Sequence, residues 1–194
     1  MEIKPKRRTP ERILEASLRL FNDFGEPNVT TTVIADDLNI SPGNLYYHFP
    51  SKDELINTLF DQYESQLYEL LAASTDVLDV EDAWFFLHSL FELIWQYRFL
   101  YRDVGHLLSR NRRLETHFPA ILLRKRAALR QLLDTLQAKR AASAAEDRQR
   151  DAVAASMVVL LTYWLSYEYV LQPRSRASWA FSGSMALRGC STYS

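Results

Sequence analysis

The sequence predicts an all-α protein. Three observations predict it. The 194 residues include only 5 glycines and 7 prolines, too little punctuation for a chain of short strands. Leu, Ala, Glu and Arg are plentiful, and all four favour helix. Apolar residues recur at three- and four-residue spacing along most of the chain. The length admits one or two domains, and 47% hydrophobic content is ample for a core.

Thr9-Pro10 starts a helix, Thr as N-cap and Pro in the first turn. Ile13, Leu14, Ser17, Leu18, Leu20, Phe21 and Phe24 give it one apolar face, and Gly25 ends it. Glu26, Pro27 and Asn28 make a turn. Thr30 caps a second helix whose inward stripe is Ile34, Ala35 and Leu38. Asn39 follows where a tight turn needs positive φ, which Asn tolerates better than most residues. Ile40 anchors the turn. Ser41-Pro42 then restarts the chain as cap and first-turn proline. In the short third helix Leu45 and Phe49 face inward, Gly43 and Tyr47 face away, and Asn44 and Tyr46 lie on the flanks. Gly43 lowers helix stability and lets the backbone approach another surface closely. Pro50 stops this helix. Ser51 and Glu54 form a capping box for a long fourth helix carrying Leu55, Ile56, Leu59, Phe60, Tyr63, Leu67 and Leu70 or Leu71.

The pattern pauses over residues 74–79. Asp79 or Asp82 caps a fifth helix that is apolar nearly all round and is therefore expected to be buried on every side. A shorter sixth segment covers residues 99–109. Asn111 caps a seventh helix to about Arg140, in which Pro119 produces a kink or a late start. Residues 141–147 read as a link. An eighth helix runs from about Ala145 to Leu171. Residues 179–187 make a weak final helix, for about nine in all.

The expected division is a helix-turn-helix unit over residues 1–50 and a larger helical domain over 51–194. Residues 30–49 are the strongest signal: two short, well-capped helices joined by a tight turn, with small and polar aromatic side chains outward. Thr30-Thr31, Ile34-Ala35, Asn39-Ile40-Ser41, the run Gly43-Asn44-Leu45-Tyr46-Tyr47-His48-Phe49 and Ser51-Lys52-Asp53-Glu54-Leu55 resemble the TetR-type bacterial transcriptional regulators. The resemblance covers residues 9–60, with Asn39 where that family usually has glycine. It implies that Gly43, Asn44 and Tyr46 read or approach base edges. It places Tyr47, His48 and Lys52 at phosphates, and offers the hydroxyls of Thr31 and Thr32 to DNA. A double-stranded operator and a homodimer are the partners it implies.

Charge does not argue for DNA by itself. The net charge is −1. Residues 1–55 hold seven Lys/Arg against nine Asp/Glu. Binding must rest on local placement, including a basic arm of Lys4, Lys6, Arg7 and Arg8.

A second candidate region is aromatic. Trp84, His88, Phe91 and Trp95 share a stripe of the fifth helix; Tyr101, His106, Trp164 and Tyr167 join them from later segments. Core packing is the plain reading of any single one. The set, with its polar tips, suggests a site for a small apolar or aromatic effector, which the family often keeps among these helices.

Scattered histidines at 48, 88, 106 and 117, with no HExxH, GxSxG or glycine-rich phosphate loop, give no catalytic constellation, so no enzyme activity, metal or cofactor is expected. The lone Cys190 suits a reducing cytoplasm. The run over residues 152–165 is interrupted by Ser156 and Thr162 and reads as too short to span a bilayer; no membrane partner is expected. The resulting expectation is a cytoplasmic repressor that a ligand releases from a near-palindromic operator. An activator of the same fold, or a protein-interaction module that kept the fold, are the alternatives. The eighth helix offers Val158, Leu161, Leu165, Tyr169 and Val170 for dimerisation.

Overall fold

The structure is a computed structural model and describes residues 9–137 and 144–171. The basic arm, the end of the seventh helix and the first three residues of its link, the final helix and Cys190 lie outside the described residues.

The described residues form α-helices and two 3₁₀ turns, without strands. The helices are α1 (Thr9–Phe24), α2 (Thr31–Leu38), α3 (Pro42–His48), α4 (Lys52–Ala72), α5 (Val80–Gln96), α6 (Phe99–Arg102), α7 (Val104–Arg110), α8 (Arg112–Gln137) and α9 (Ala144–Leu171). The sixth segment is thus two short helices, broken at Asp103, whose side chain caps the second through the His106 N–H. Thr9 already lies inside α1. Asn111 caps α8, accepting from the N–H groups of Arg113 and Leu114 at 3.0 and 3.1 Å. Capped there, α8 begins well before Pro119 and runs through it, so the proline does not delay the start.

The first three helices close over Ile13, Phe21, Ile34, Ala35 and Leu45, all fully buried. Lone faces of such short helices do not hold them; α4 supplies the missing surface through Leu55, Ile56, Leu59 and Phe60. Beyond Phe60 the same helix enters the second group of helices, burying Tyr63, Leu67 and Leu71. Polar contacts fasten it on the way. Asn111 donates to Asn57 at 2.9 Å, Arg113 to Asp61 at 2.7 Å, and Gln66 to Tyr97 at 2.9 Å. α1 is fastened to the α5–α6 corner by Asn22 and by the ion pair of Asp23 with Arg98 at 3.0 Å. Asn22 donates to the Gln96 carbonyl at 2.8 Å and accepts from the Phe99 N–H at 3.0 Å.

Two sequence expectations need correcting. α5 is not buried on every side: Trp84 and Phe85 are 53% and 54% exposed. It packs through one face, Ala83, Phe86, Leu90, Leu93 and Ile94. Apolarity all round signals a demand for cover and does not say that one protomer supplies it. Likewise Val158, Leu161 and Leu165 are buried inside the protomer and are unavailable for dimerisation. The outward stripe of α9 is Leu160, Tyr163, Tyr167 and Val170.

α9 lies along α8 and α6. Ser166 reaches the carbonyls of Tyr101 and Arg102 at 3.0 and 2.9 Å. Ion pairs Arg126–Asp151, Arg130–Asp147 and Arg150–Asp134 join it to α8. At 28 residues it is, among the described residues, the one helix long and apolar enough to cross a membrane by length and composition. The run over 152–165 understated it. Only 28% of its most apolar window is buried within the protomer.

Candidate nucleic-acid interface and aromatic region

The helix-turn-helix is built from caps. Thr30 accepts from the Val33 N–H at 3.3 Å, Ser41 from Asn44 at 3.2 Å, and Ser51 from Glu54 at 3.1 Å. Between α2 and α3, Asn39 adopts φ 54°, the left-handed region. Its N–H bonds Asp36 at 3.1 Å and the Ile40 N–H bonds Ala35 at 3.0 Å. This paired closure satisfies the carbonyls at the end of α2 and turns the chain sharply. Asparagine does here what glycine does elsewhere.

The turn fixes which side of α3 looks out. Leu45 is fully buried and Phe49 nearly so, while Gly43, Asn44, Tyr46 and Tyr47 are exposed. Tyr47 is 84% exposed and meets His48 edge to face at 5.0 Å. Tyr46 shares a 2.9 Å hydrogen bond with Thr31, so two expected contact residues hold each other in place. Thr32 is exposed beside them. A Cβ on Gly43 would approach only Ser41 Oγ, at 3.9 Å. Nothing inside the protomer requires glycine there.

Lys52 is placed differently from a free surface cation. Its Nζ lies 2.6 Å from both the Glu26 carboxylate and the Glu26 carbonyl oxygen, and 5.7 Å from the Phe21 ring centroid. Beside it is an open hollow of about 400 Å³ lined by Val29, Thr30, Thr31, Tyr46, Pro50, Ser51 and Lys52. The starts of α2 and α4 both border it. Arg19 is also paired, with Asp37 at 2.5 Å. Sequence reading found Lys52 and missed Glu26, because the partners lie 26 residues apart and no periodicity links a turn to a helix start.

The aromatic set separates into parts. Trp84 stacks on His88 at 5.1 Å near the start of α5. Phe91 and Trp95 meet Trp164 of α9 at 6.0 and 6.2 Å. The Trp164 indole N–H is buried without a hydrogen-bond partner. Tyr167 is 63% exposed further along α9. His106 is half-buried on α7. Tyr101 belongs to the core: its hydroxyl bonds the Tyr63 hydroxyl and accepts from Lys125 Nζ at 2.6 Å.

Lys125 was not anticipated. In the run Arg124-Lys125-Arg126 it reads as part of a solvated face. Yet it follows Ile121 by four residues and precedes Leu129 by four, which puts it on the buried stripe. It is fully buried, and desolvation pushes its ammonium down to about 7. Burial also raises the Tyr63 and Tyr101 phenols.

An outward-facing, capped helix-turn-helix on a larger helical body defines the class of helix-turn-helix regulators. Two family models match: residues 13–59 fit "Bacterial regulatory proteins, tetR family" and residues 62–185 fit "Bacterial transcriptional repressor", TetR. The chain belongs to the TetR family of transcriptional regulators. It is 34% identical to a TetR-family transcriptional regulator of Marinobacter aquaeolei VT8, whose structure superposes with a TM-score of 0.74 over 84% of this chain and 81% of that one. The HTH-type transcriptional regulator AcrR of Shigella flexneri is 32% identical over 62 residues. That match takes in 32% of this chain and 29% of AcrR. A transcriptional regulator of Saccharomonospora viridis, solved with choline, shares the fold at 20% identity (TM-score 0.66, covering 87% of this chain and 88% of that one).

Proposed function

We propose that the chain is a homodimeric transcriptional repressor of the cytoplasm that a small apolar or aromatic effector releases from a near-palindromic operator. Residues 1–50 serve as the DNA-binding domain and 51–194 as the effector-binding and dimerisation domain. The observation that carries the reading is the division of α3: Leu45 inward, and Gly43, Asn44, Tyr46 and Tyr47 outward. Such a face enters a major groove. Asn44 and Tyr46 have the hydrogen-bonding chemistry to read base edges, while Thr31, Thr32, Tyr47, His48 and Lys52 suit phosphates. Two copies bind half-sites roughly 34 Å apart or slightly more.

Pairing is supported by α9. Leu160, Tyr163, Tyr167 and Val170 are each more than half exposed, a stripe that a second copy covers. The effector reading draws on the Phe91–Trp95–Trp164 cluster and the unpartnered Trp164 N–H. The ligand named with the Saccharomonospora regulator, choline, is consistent with small-molecule control in this fold. An effector that prefers the state with the wrong half-site spacing lowers DNA affinity by its differential affinity for the two states.

A gel shift with duplexes selected from a randomised library tests this reading. Tyr47→Ala and His48→Ala are expected to weaken the selected duplex at least about tenfold, the scale of a charge-assisted contact. Full binding by both variants, or no duplex selected at all, removes it. A thermal-shift series with fatty acids and aromatic compounds tests the effector arm.

A further inference from the structure

The Lys52–Glu26 pair stands at the edge of the hollow between the starts of α2 and α4. Two of the three ammonium protons of Lys52 are directed to Glu26, one to its carboxylate and one to its carbonyl, both at 2.6 Å. The two side chains are 26% and 12% exposed, so the carboxylate is the more enclosed partner. The hollow itself holds hydroxyls of Thr30, Thr31, Tyr46 and Ser51 and is bordered by Lys52. It therefore offers several donors to a phosphate oxygen. The cation beside it, though, is already neutralised. Nearby charges on α4 are Asp53 and Glu54, of the same sign as the phosphate.

We propose that Glu26 is an internal counter-ion for the phosphate seat, which holds DNA affinity and its salt dependence below what Lys52 alone would give. The proposal rests on the DNA-facing reading of α3 above. Its physics is counter-ion release. A lysine that neutralises a phosphate displaces condensed cations and adds a slope of about −0.9 to log K against log salt. A lysine that keeps its own carboxylate partner brings no net charge and displaces few. Removing the carboxylate charge, while leaving the backbone carbonyl to orient Nζ, restores that contribution.

The experiment is a salt titration of the full chain on two duplexes, one selected by the wild-type protein and one of mixed sequence. Glu26→Gln, present in both copies of the dimer, is expected to bind both duplexes about 25- to 100-fold tighter near 0.1 M salt, with a slope steeper by about 1.8, twice the contribution of one lysine. The gain should vanish in Glu26→Gln/Lys52→Gln. Lys52→Gln alone leaves the Glu26 carboxylate without its cation beside the phosphate and should bind more weakly than the wild type, with a shallower slope. Glu26→Ala is a second variant that also keeps the carbonyl, and circular dichroism checks that each variant is folded. Wild-type binding with an equal or weaker Glu26→Gln and Glu26→Ala overturns the counter-ion role while leaving the DNA reading intact. Failure of the wild type to select any duplex overturns both.

Discussion

Single side chains here carry opposing demands, and Gly43 shows it most simply. In the middle of a helix glycine costs about 0.5–1 kcal/mol relative to alanine, and at Gly43, the second residue of α3, it costs less than that. The space around Gly43 would admit a methyl group, so the protomer gains nothing from the glycine. Gly43→Ala is therefore expected to raise urea stability by up to about 0.5 kcal/mol and, on the DNA-facing reading proposed above, to weaken operator binding, because the added methyl would hold the backbone off the groove. A variant that is more stable and binds equally well would show that no surface approaches there. Lys125 is the reverse case, a cost borne inside the core. Its folded value of about 7 lies below its ordinary 10.5. Between those values the unfolded chain binds the extra proton, so stability rises as pH rises from about 7 towards 10. Below about 7 the core carries the whole penalty. Above 10 the raised phenols of Tyr63 and Tyr101 reverse the trend, since the unfolded tyrosines ionise first. Lys125→Met should raise the melting temperature at pH 6 by several degrees and flatten the rise between pH 7 and 9. An unchanged pH profile would place the dependence on other groups.

At the scale of elements, exposure decides more than composition. α9 shows Leu160 at 67% and Tyr167 at 63%, and such contiguous apolar surface marks an interaction site. Leu160→Glu with Tyr167→Glu should leave helical content intact and convert a sedimenting dimer to monomer at micromolar concentration. A wild-type protein that is itself a monomer there would end the dimer proposal. Residues 30–49 were legible in the sequence because caps and turns act over three or four residues: Thr30, Asn39, Ser41 and Ser51 each do locally what their chemistry suggests. α5 was misread because its apolar residues specify that cover is needed, not which helix gives it. The inward stripe of α9 was confused with its outward one for the same reason. Glu26 escaped notice because its partner Lys52 lies 26 residues away, whereas Lys125 stands on the buried stripe by its spacing and was masked by the flanking Arg124 and Arg126. Short-range periodicity carries no information about a pair such as Glu26 and Lys52.

Over the whole molecule, α4 is the member common to both groups of helices. Its first turn carries Lys52 beside α3, and its middle holds Tyr63 in the core with Tyr101. Eleven residues separate these points, about 16 Å at 1.5 Å per residue. With Tyr63 as a fulcrum, a tilt of about 4° displaces the Lys52 end by about 1 Å, twice the width of the usual hydrogen-bond distance range. The buried tyrosine pair thus sets an angular tolerance. On the DNA-facing reading proposed above, slack of a few degrees at this point in the core would shift the groove contacts out of reach together.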